Sequence, residues 1–252
     1  MIEALIERMK ELLQPMEAAG DPKRIFHATY LRTTIAVAEE INRPGGFADP
    51  GWTERWDVAF ADLYLEALEQ LQAGEQPARP WAIAFGARPG LPVVNHLLLG
   101  MNAHINYDLP QAILAVITDE EFDDAELIAR READHRAIDG ILASRVSAEG
   151  DKLTSIYGPG SLLNRLLKPF NQSGTRHFLR EARRKVWANA MSLNQARRTG
   201  AGVYAARLAE LEELSAAKVN ELQAPGQVLL RLAVTGFGVR LPDHSLSVAA
   251  DR

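Results

Sequence analysis

The segment NHLLLGMNAHINYDLPQ, from Asn95 to Gln111, is apolar over most of its length. Hydrophobic residues recur every three to four positions here and in almost every other part of the chain, which is the spacing of a helix that buries one face. Alternating polar and apolar runs, which are typical of strands, are scarce. The sequence therefore predicts an all-α fold, a single-domain multi-helix bundle.

The same segment carries polar positions at intervals of four residues: His96, Gly100, His104 and Asp108. On a helix these positions form one stripe. Two histidines and a carboxylate in a buried stripe are costly unless they satisfy one another or bind an ion. Gly100 leaves a gap for something other than a side chain. The structural alternative places His96 in a core hydrogen-bond network and Asp108 at the start of the next helix.

Turn residues on either side of this segment divide the chain into further predicted helices. We expect a break at Pro110 and a mostly irregular connection over residues 76–92. The other helices are predicted at 1–14, 21–42, 50–73, 119–147, 162–170, 175–198, 202–220 and 225–235. Residues 1–243 are predicted to form one helical domain, and residues 244–252 a frayed tail.

The composition limits the possible functions. The 252 residues are 47% hydrophobic and 24% charged, as is usual for a globular protein with its own core. The absence of Cys excludes disulfides, thiolate catalysis and iron–sulfur clusters. A net charge of −5 argues against a general nucleic-acid binder. A metal ion would need His, Asp, Glu, Asn or water as ligands.

Location and partners are predicted from what the sequence lacks. No window approaches the roughly 18 uncharged apolar residues of a transmembrane segment. Residues 1–14 carry charges throughout and lack the features of a signal peptide. We therefore expect a cytoplasmic protein with a small-molecule substrate.

Other histidines and aspartates extend the candidate set. READHRAIDG places His135 four residues before Asp139, although a solvated charged face explains this pair too. RIFHATYLRTT places His27 on an apolar helix, where a lone histidine is commonly a satisfied core residue. ERWDVAFADLYLEAL places Asp57 among aromatic residues, where it either pairs with an arginine or binds metal.

Together these positions give a predicted metal-ligand set of four histidines and three aspartates: His27, Asp57, His96, His104, Asp108, His135 and Asp139. Nitrogen and oxygen ligands without sulfur suit zinc, iron or manganese. Seven ligands are enough for two ions, which can activate water and hold a phosphate between them. A spare carboxylate, Asp134, is the candidate catalytic base.

The strings RIFHATYLRTT, ERWDVAFADLYLEAL and HLLLGMNAHINYDLP resemble a bacterial family of unknown function over most of the first 140 residues. A remoter resemblance links His104-x-x-x-Asp108-x-x-Gln111 to the zinc-dependent phospholipase C and nuclease superfamily. That superfamily is all-helical and hydrolyses phosphoesters at a multi-zinc site, and the order of its ligands is similar to that of the predicted set. The resemblance implies a hydrolase with one or two zinc ions.

Two alternatives remain open. An iron- or manganese-dependent helical oxygenase or oxidase would use the same ligands, and Glu132-Ala-Asp-His135 has the Glu-x-x-His spacing of such sites. A non-enzymatic helical scaffold would instead use its buried His–Asp pairs as hydrogen bonds without metal.

Overall fold

Apolar residues at helical spacing produce helices along the chain. The computed structural model describes residues 1–138, 140–141, 172–224, 226 and 228–243. These ranges contain no strand, so the predicted all-α, single-domain multi-helix fold is confirmed. The helices are α1 (Ile2–Ala18), α2 (Arg24–Asn42), α3 (Pro50–Gln72), α4 (Arg79–Phe85), α5 (Val93–Ala103), a π-helical segment (His104–Asp108), α6 (Leu109–Ala115), α7 (Asp119–Phe122), α8 (125–138), α9 (Gln172–Thr199), α10 (Ala201–Gln223) and α11 (Val228–Thr235).

The central rod consists of α5, the π-helical segment and α6, which follow one another without interruption. The backbone N–H of Leu109 donates to the carbonyl of His104, the five-residue step that defines a π turn. The predicted break at Pro110 is therefore wrong. Pro110 has no N–H, and its ring crowds the carbonyl four residues earlier in an α-helix. The wider π turn just before it provides the space.

Other helices surround the central rod. α2 and α4 pack against α5, α3 and α9 pack against α6, and α10 packs against α5 and the π-helical segment. Leu99, Ala103, Leu109 and Ile113 are consequently fully buried. The polar stripe of this segment therefore lies in the core of the protein.

The predicted helix over 119–147 is two helices within the described residues. Thr118 and Glu121 form a capping box that starts the four-residue α7. Asp124 then starts α8, because its Oδ1 accepts from the backbone N–H groups of Glu126 and Leu127. Residues 142–147, the predicted helix at 162–170 and the tail at 244–252 lie outside the described residues.

Three other boundaries differ from the predictions. α1 continues through Pro15 to Ala18, because Met16 is buried in the core beyond the proline. α2 begins at Arg24, and the N–H of Lys23 donates to Oδ1 of Asp21 in the turn before it. Residues 76–92 contain α4, with Pro80 in its first turn. None of the helices in the described ranges is long and apolar enough to cross a membrane.

Candidate active site

A cavity of about 140 Å³ lies between the start of α2, helix α4 and helix α5. We call it the aromatic pocket, because four rings line it. Its lining comprises Asp21, Pro22, Lys23, Phe26, Tyr64, Trp81, Ala84, Phe85, Ala87, Pro89, His96 and Gly100. Aromatic rings and the polar side chains of Asp21, Lys23 and His96 thus surround a space smaller than the roughly 300–1,000 Å³ of a typical ligand pocket.

Gly100 shapes one wall of the aromatic pocket. A Cβ atom built at this position would lie 2.4 Å from Cγ of Phe26, so any larger residue would displace that ring. The sequence predicted a gap at Gly100 for something other than a side chain, and this is wrong: the ring of Phe26 from α2 occupies the space. The glycine therefore permits the close packing of α2 against α5.

His96 provides an unused polar atom at the aromatic pocket. Its side chain is buried, and Nε2 has no hydrogen-bond partner. Burial lowers the pKa of His96, whereas a hydrogen bond to the carbonyl of Pro89 opposes this shift. Nε2 of His96 is thus a buried ring nitrogen without a partner in the described part of the chain.

Charged residues lie at the rim of the aromatic pocket, in the turn before α2 and at its start. Nζ of Lys23 pairs with Oδ2 of Asp21 at 2.7 Å. Arg24 donates to the carbonyls of Gly20 and Asp21. Both charges act on His96, because the charge of Arg24 lowers its pKa and that of Asp21 raises it, each less than burial does. The two charged side chains that line the pocket, Asp21 and Lys23, pair with each other, and Arg24 lies beside them outside the lining.

His104 and Asp108 form a buried pair behind the aromatic pocket. Nδ1 of His104 lies 2.8 Å from Oδ2 of Asp108, and both side chains are almost fully buried. The same oxygen accepts from Nε1 of Trp81 at 2.9 Å. Burial lowers the pKa of His104 well below its ordinary value and raises the pKa of Asp108 well above its own. With the shared proton on Nδ1, Nε2 of His104 keeps a lone pair and has no partner.

His27 is fixed on the other side of the aromatic pocket. Its Nε2 lies 2.8 Å from the carbonyl oxygen of Met9, so this nitrogen carries the proton and donates it. Nδ1 then accepts from the hydroxyl of Tyr64, also at 2.8 Å. Burial lowers the pKa of His27 more than the Met9 carbonyl raises it, so the ring is neutral. These two bonds leave His27 no nitrogen for a metal ion.

The His104–Asp108 pair and His27 each hold a side chain that lines the aromatic pocket. His104 and Asp108 hold the indole of Trp81, and His27 holds the hydroxyl of Tyr64. Both held side chains line the pocket. Residues that the sequence marked as metal ligands therefore position the pocket walls from behind.

The carboxyl group of Asp57 is buried in α3, and one of its oxygens makes no hydrogen bond. Its Oδ2 has no hydrogen-bond partner, and burial raises the pKa of its carboxyl to about 7. The hydroxyl of Tyr30 is also buried without a partner, and the charge of Asp57 contributes to its raised pKa after burial. The ring of Tyr30 meets that of His104 edge to face, with centroids 4.5 Å apart. Unsatisfied polar atoms thus collect between α2, α3 and the π-helical segment.

Two further predicted site residues, Asp134 and His135, lie farther along the chain, on α8. Both carboxylate oxygens of Asp134 accept backbone N–H groups, from Ala48 at 2.7 Å and Asp49 at 2.9 Å. His135 lies between the rings of Trp56 and Trp187, and its Nε2 has no partner. Asp139 falls outside the described residues.

The predicted seven-residue metal set does not come together in the described part of the chain. There, no three His, Asp or Glu side chains form a group that could hold an ion. His27 is fully used by hydrogen bonds, and His104 and Asp108 bond to each other. These residues as described do not fit a zinc centre of the predicted composition.

Sequence reasoning missed the aromatic wall. Trp81 and Phe85 fell in the predicted irregular connection over residues 76–92, and Tyr64 was not among the predicted site residues. A signal was available, because Pro80 followed by an apolar run is a typical helix start. The contacts between the histidines and this wall join distant parts of the chain, so no local pattern indicates them.

The fold and the site define an all-α protein with a preorganised aromatic pocket. The chain belongs to the Family of unknown function (DUF5995), whose model matches residues 2–225. This confirms the resemblance to a family of unknown function, and nothing supports the resemblance to the phospholipase C and nuclease superfamily. No curated protein and no solved structure matches the chain.

Proposed function

We propose that this protein is a hydrolase of small anionic esters, with phosphoesters as the favoured class, and that His96 is its general base. The observation that carries the proposal is His96, which lines the aromatic pocket and whose Nε2 is buried without a hydrogen-bond partner. A base must be unprotonated at working pH and within reach of the water it activates. The lowered pKa of His96, caused mainly by burial, meets the first requirement.

The surroundings of His96 support the same role. The backbone of Pro89 raises the pKa of His96 less than burial lowers it, so the imidazole is mostly neutral at neutral pH. Lys23 at the rim of the pocket and Arg24 beside it supply positive charge for a substrate with negative charge.

A metal-dependent hydrolase, with zinc favoured, is a second proposal. Its support is limited to one histidine, His104, whose Nδ1 lies beside a carboxylate while Nε2 has no partner, because no third ligand joins them among the described residues. Elemental analysis of the purified, chelator-free protein by mass spectrometry tests it. One or two equivalents of zinc support this version, whereas iron or manganese supports the oxidase alternative. An active, metal-free protein supports His96 acting alone.

A non-enzymatic scaffold is the third candidate. The internal bonds of His27 and of the His104–Asp108 pair favour it, because each satisfies a core histidine without any ligand. A scaffold of this kind has no hydrolytic activity, either in the wild type or in a variant without the imidazole of His96.

Hydrolysis assays separate these proposals. Aryl and alkyl phosphoesters and carboxylic esters are screened with and without chelator, first on the wild type. We expect His96→Ala to lower kcat/KM by roughly 10²–10⁴-fold, the usual contribution of a general base. Arg136→Ala, on the exposed side of α8, is the matched control and should leave activity unchanged. Absence of activity on every class, or full activity in His96→Ala, overturns the proposal.

A further inference from the structure

The segment that follows α11 lies against the central rod and α9. This segment, residues 236–243, forms neither helix nor strand, and we call it the strap. Gly236 ends α11 with a φ of 75°, in the left-handed region that favours glycine. The side chains of Phe237 and Leu241 are each only 2% exposed, whereas Arg240 between them is exposed. The strap is therefore anchored by two buried apolar side chains.

Asparagine side chains bind the backbone of the strap. Asn106 donates to the carbonyl of Phe237 and accepts from the N–H of Val239, both at 3.0 Å. Asn189 donates to the carbonyl of Val239 at 3.1 Å and accepts from the N–H of Leu241 at 2.9 Å. We call the surface that carries these side chains the asparagine groove; its members are Asn102 of α5, Asn106 of the π-helical segment and Asn189 of α9.

The asparagine groove binds main chain rather than particular side chains. An amide that both donates and accepts can replace the peptide group of a neighbouring strand. The amides of Asn106 and Asn189 bind strap residues two positions apart, which is the period of an extended chain. When an extended peptide binds in this way, main-chain hydrogen bonds supply affinity and pockets for its side chains supply specificity.

The strap also indicates which side chains the asparagine groove accepts. A Cβ built at Gly238 would lie 2.7 Å from Cα of Ala182 on α9, so only glycine fits against this helix. Lys185 donates to the carbonyl of Gly238 at 3.0 Å and holds it there. Phe237 precedes this glycine, and Leu241 follows it by three residues. The pattern is therefore an aromatic residue, glycine, two less restricted residues and leucine.

We propose that the asparagine groove is a binding site for an extended segment of a partner protein with this pattern, and that the strap is its tethered competitor. Release of the strap breaks no regular secondary structure, so exchange needs only local opening. A tethered segment competes at an effective concentration in the roughly millimolar range. None of the three asparagines lines the aromatic pocket, so the proposal is independent of the proposed hydrolase.

Gly238→Val in the full chain frees the asparagine groove without altering it, because the new side chain cannot fit against Ala182. A fluorescein-labelled peptide GFGVRLPD, the sequence of the strap, is titrated with each protein and followed by fluorescence anisotropy. We expect Gly238→Val to bind the peptide at least about tenfold more tightly than the wild type, since the tethered competitor is lost. Gly202→Ala, which has free space around the new atom, is the matched control and should bind as the wild type does.

Two further measurements locate the binding in the asparagine groove. The same peptide with valine in place of its second glycine should not bind, because that position lies against α9. Asn189→Leu, added to Gly238→Val, should weaken the wild-type peptide by tenfold or more, since two hydrogen bonds are lost. Equal binding of the two peptides, or an affinity that Asn189→Leu does not change, overturns the proposal.

Hydrogen–deuterium exchange on the wild-type protein tests the proposal without a variant, and decides it if Gly238→Val does not fold. We expect residues 237–241 to exchange faster as isotope-labelled peptide is added, because the peptide takes the place of the strap. No binding to a folded Gly238→Val, or no acceleration of this exchange, overturns the proposal. Dimers that form by exchange of straps and do not take up the free peptide also overturn it.

Discussion

The indole Nε1 of Trp81 donates a hydrogen bond of 2.9 Å to Oδ2 of Asp108, which also lies 2.8 Å from Nδ1 of His104. Trp81 lines the aromatic pocket, whereas His104 and Asp108 belong to the central rod. The position of a pocket wall is therefore set by groups that do not line the pocket.

Replacing Trp81 with Phe keeps most of the ring and removes this donor. We expect a loss of about 1–3 kcal/mol in the free energy of unfolding beyond the loss of ring area, because a buried carboxylate loses a partner. Trp56→Phe is the matched control, since Trp56 is equally buried but its Nε1 has no partner. Urea denaturation measures both. Equal losses in the two variants would show that the bond to Asp108 contributes nothing.

The raised pKa of Asp57 predicts a stability that depends on pH. The folded protein holds this proton more tightly than the unfolded chain, so the contribution of Asp57 to stability is fully present below about pH 4 and is lost as the pH rises to about 7. The total fall is on the order of 4 kcal/mol, from a pKa raised to about 7. Asp57→Asn should remove this fall and be more stable than the wild type at pH 8.

Asp62→Asn is the control for that experiment, because Asp62 lies on the same helix but is partly exposed and pairs with Arg8. The readout is the difference between the free energies of unfolding measured by urea denaturation at pH 5 and at pH 8. If Asp57→Asn keeps the wild-type fall, the carboxyl of Asp57 is not the group responsible.

Gly100→Ala tests the close contact between α2 and α5. The added Cβ meets the ring of Phe26 at 2.4 Å, so the ring or the helix must move. We expect a loss of roughly 1–3 kcal/mol from overpacking, reduced by the better helix propensity of alanine. Gly202→Ala in α10 has free space around the new atom and should be neutral or stabilising by up to about 1 kcal/mol. Thermal unfolding compares the two, and a stabilised Gly100→Ala would contradict the packing.

The pH dependence of catalysis follows from His96. Its pKa is lowered, mainly by burial, so the neutral base persists to a lower pH than that of an exposed histidine. We expect kcat/KM to rise with pH, to reach half its maximum below pH 6.5, and to stay level above it. A half-maximum above pH 6.5, measured on any active ester, is the result that would remove His96 from this role.

The sequence was sufficient for the helical class and for most helix positions, because hydrophobic spacing and caps are local. The end of α1 and the continuous central rod were not predicted, since packing overrides the effect of Pro15 and a π turn accommodates Pro110. The burial of His27, His104 and Asp108 followed from their apolar neighbours.

The hydrogen-bond partners of these buried residues could not be predicted from their spacing along the chain. His27 and Tyr64 are 37 residues apart, and Trp81 and Asp108 are 27 apart, so the partners that use up their polar atoms are set by tertiary packing. Asp134 binds the backbone N–H groups at the start of α3, more than 80 residues earlier in the chain. These residues were interpreted as metal ligands from their neighbours along one helix. The groups that bind them lie elsewhere in the chain.

The π-helical segment also determines where the central rod can vary in length. A π turn contains one residue more than an α turn, so losing one residue there restores an α turn and leaves both flanking helices in place. A deletion elsewhere in the rod turns every later side chain by about 100° and moves apolar residues out of the core. Within the rod, a one-residue deletion therefore keeps both flanking helices in register only among the five residues from His104 to Asp108, and it also removes the space that the π turn gives the ring of Pro110. A shortened relative would lose the spacing of the buried pair together with the extra residue.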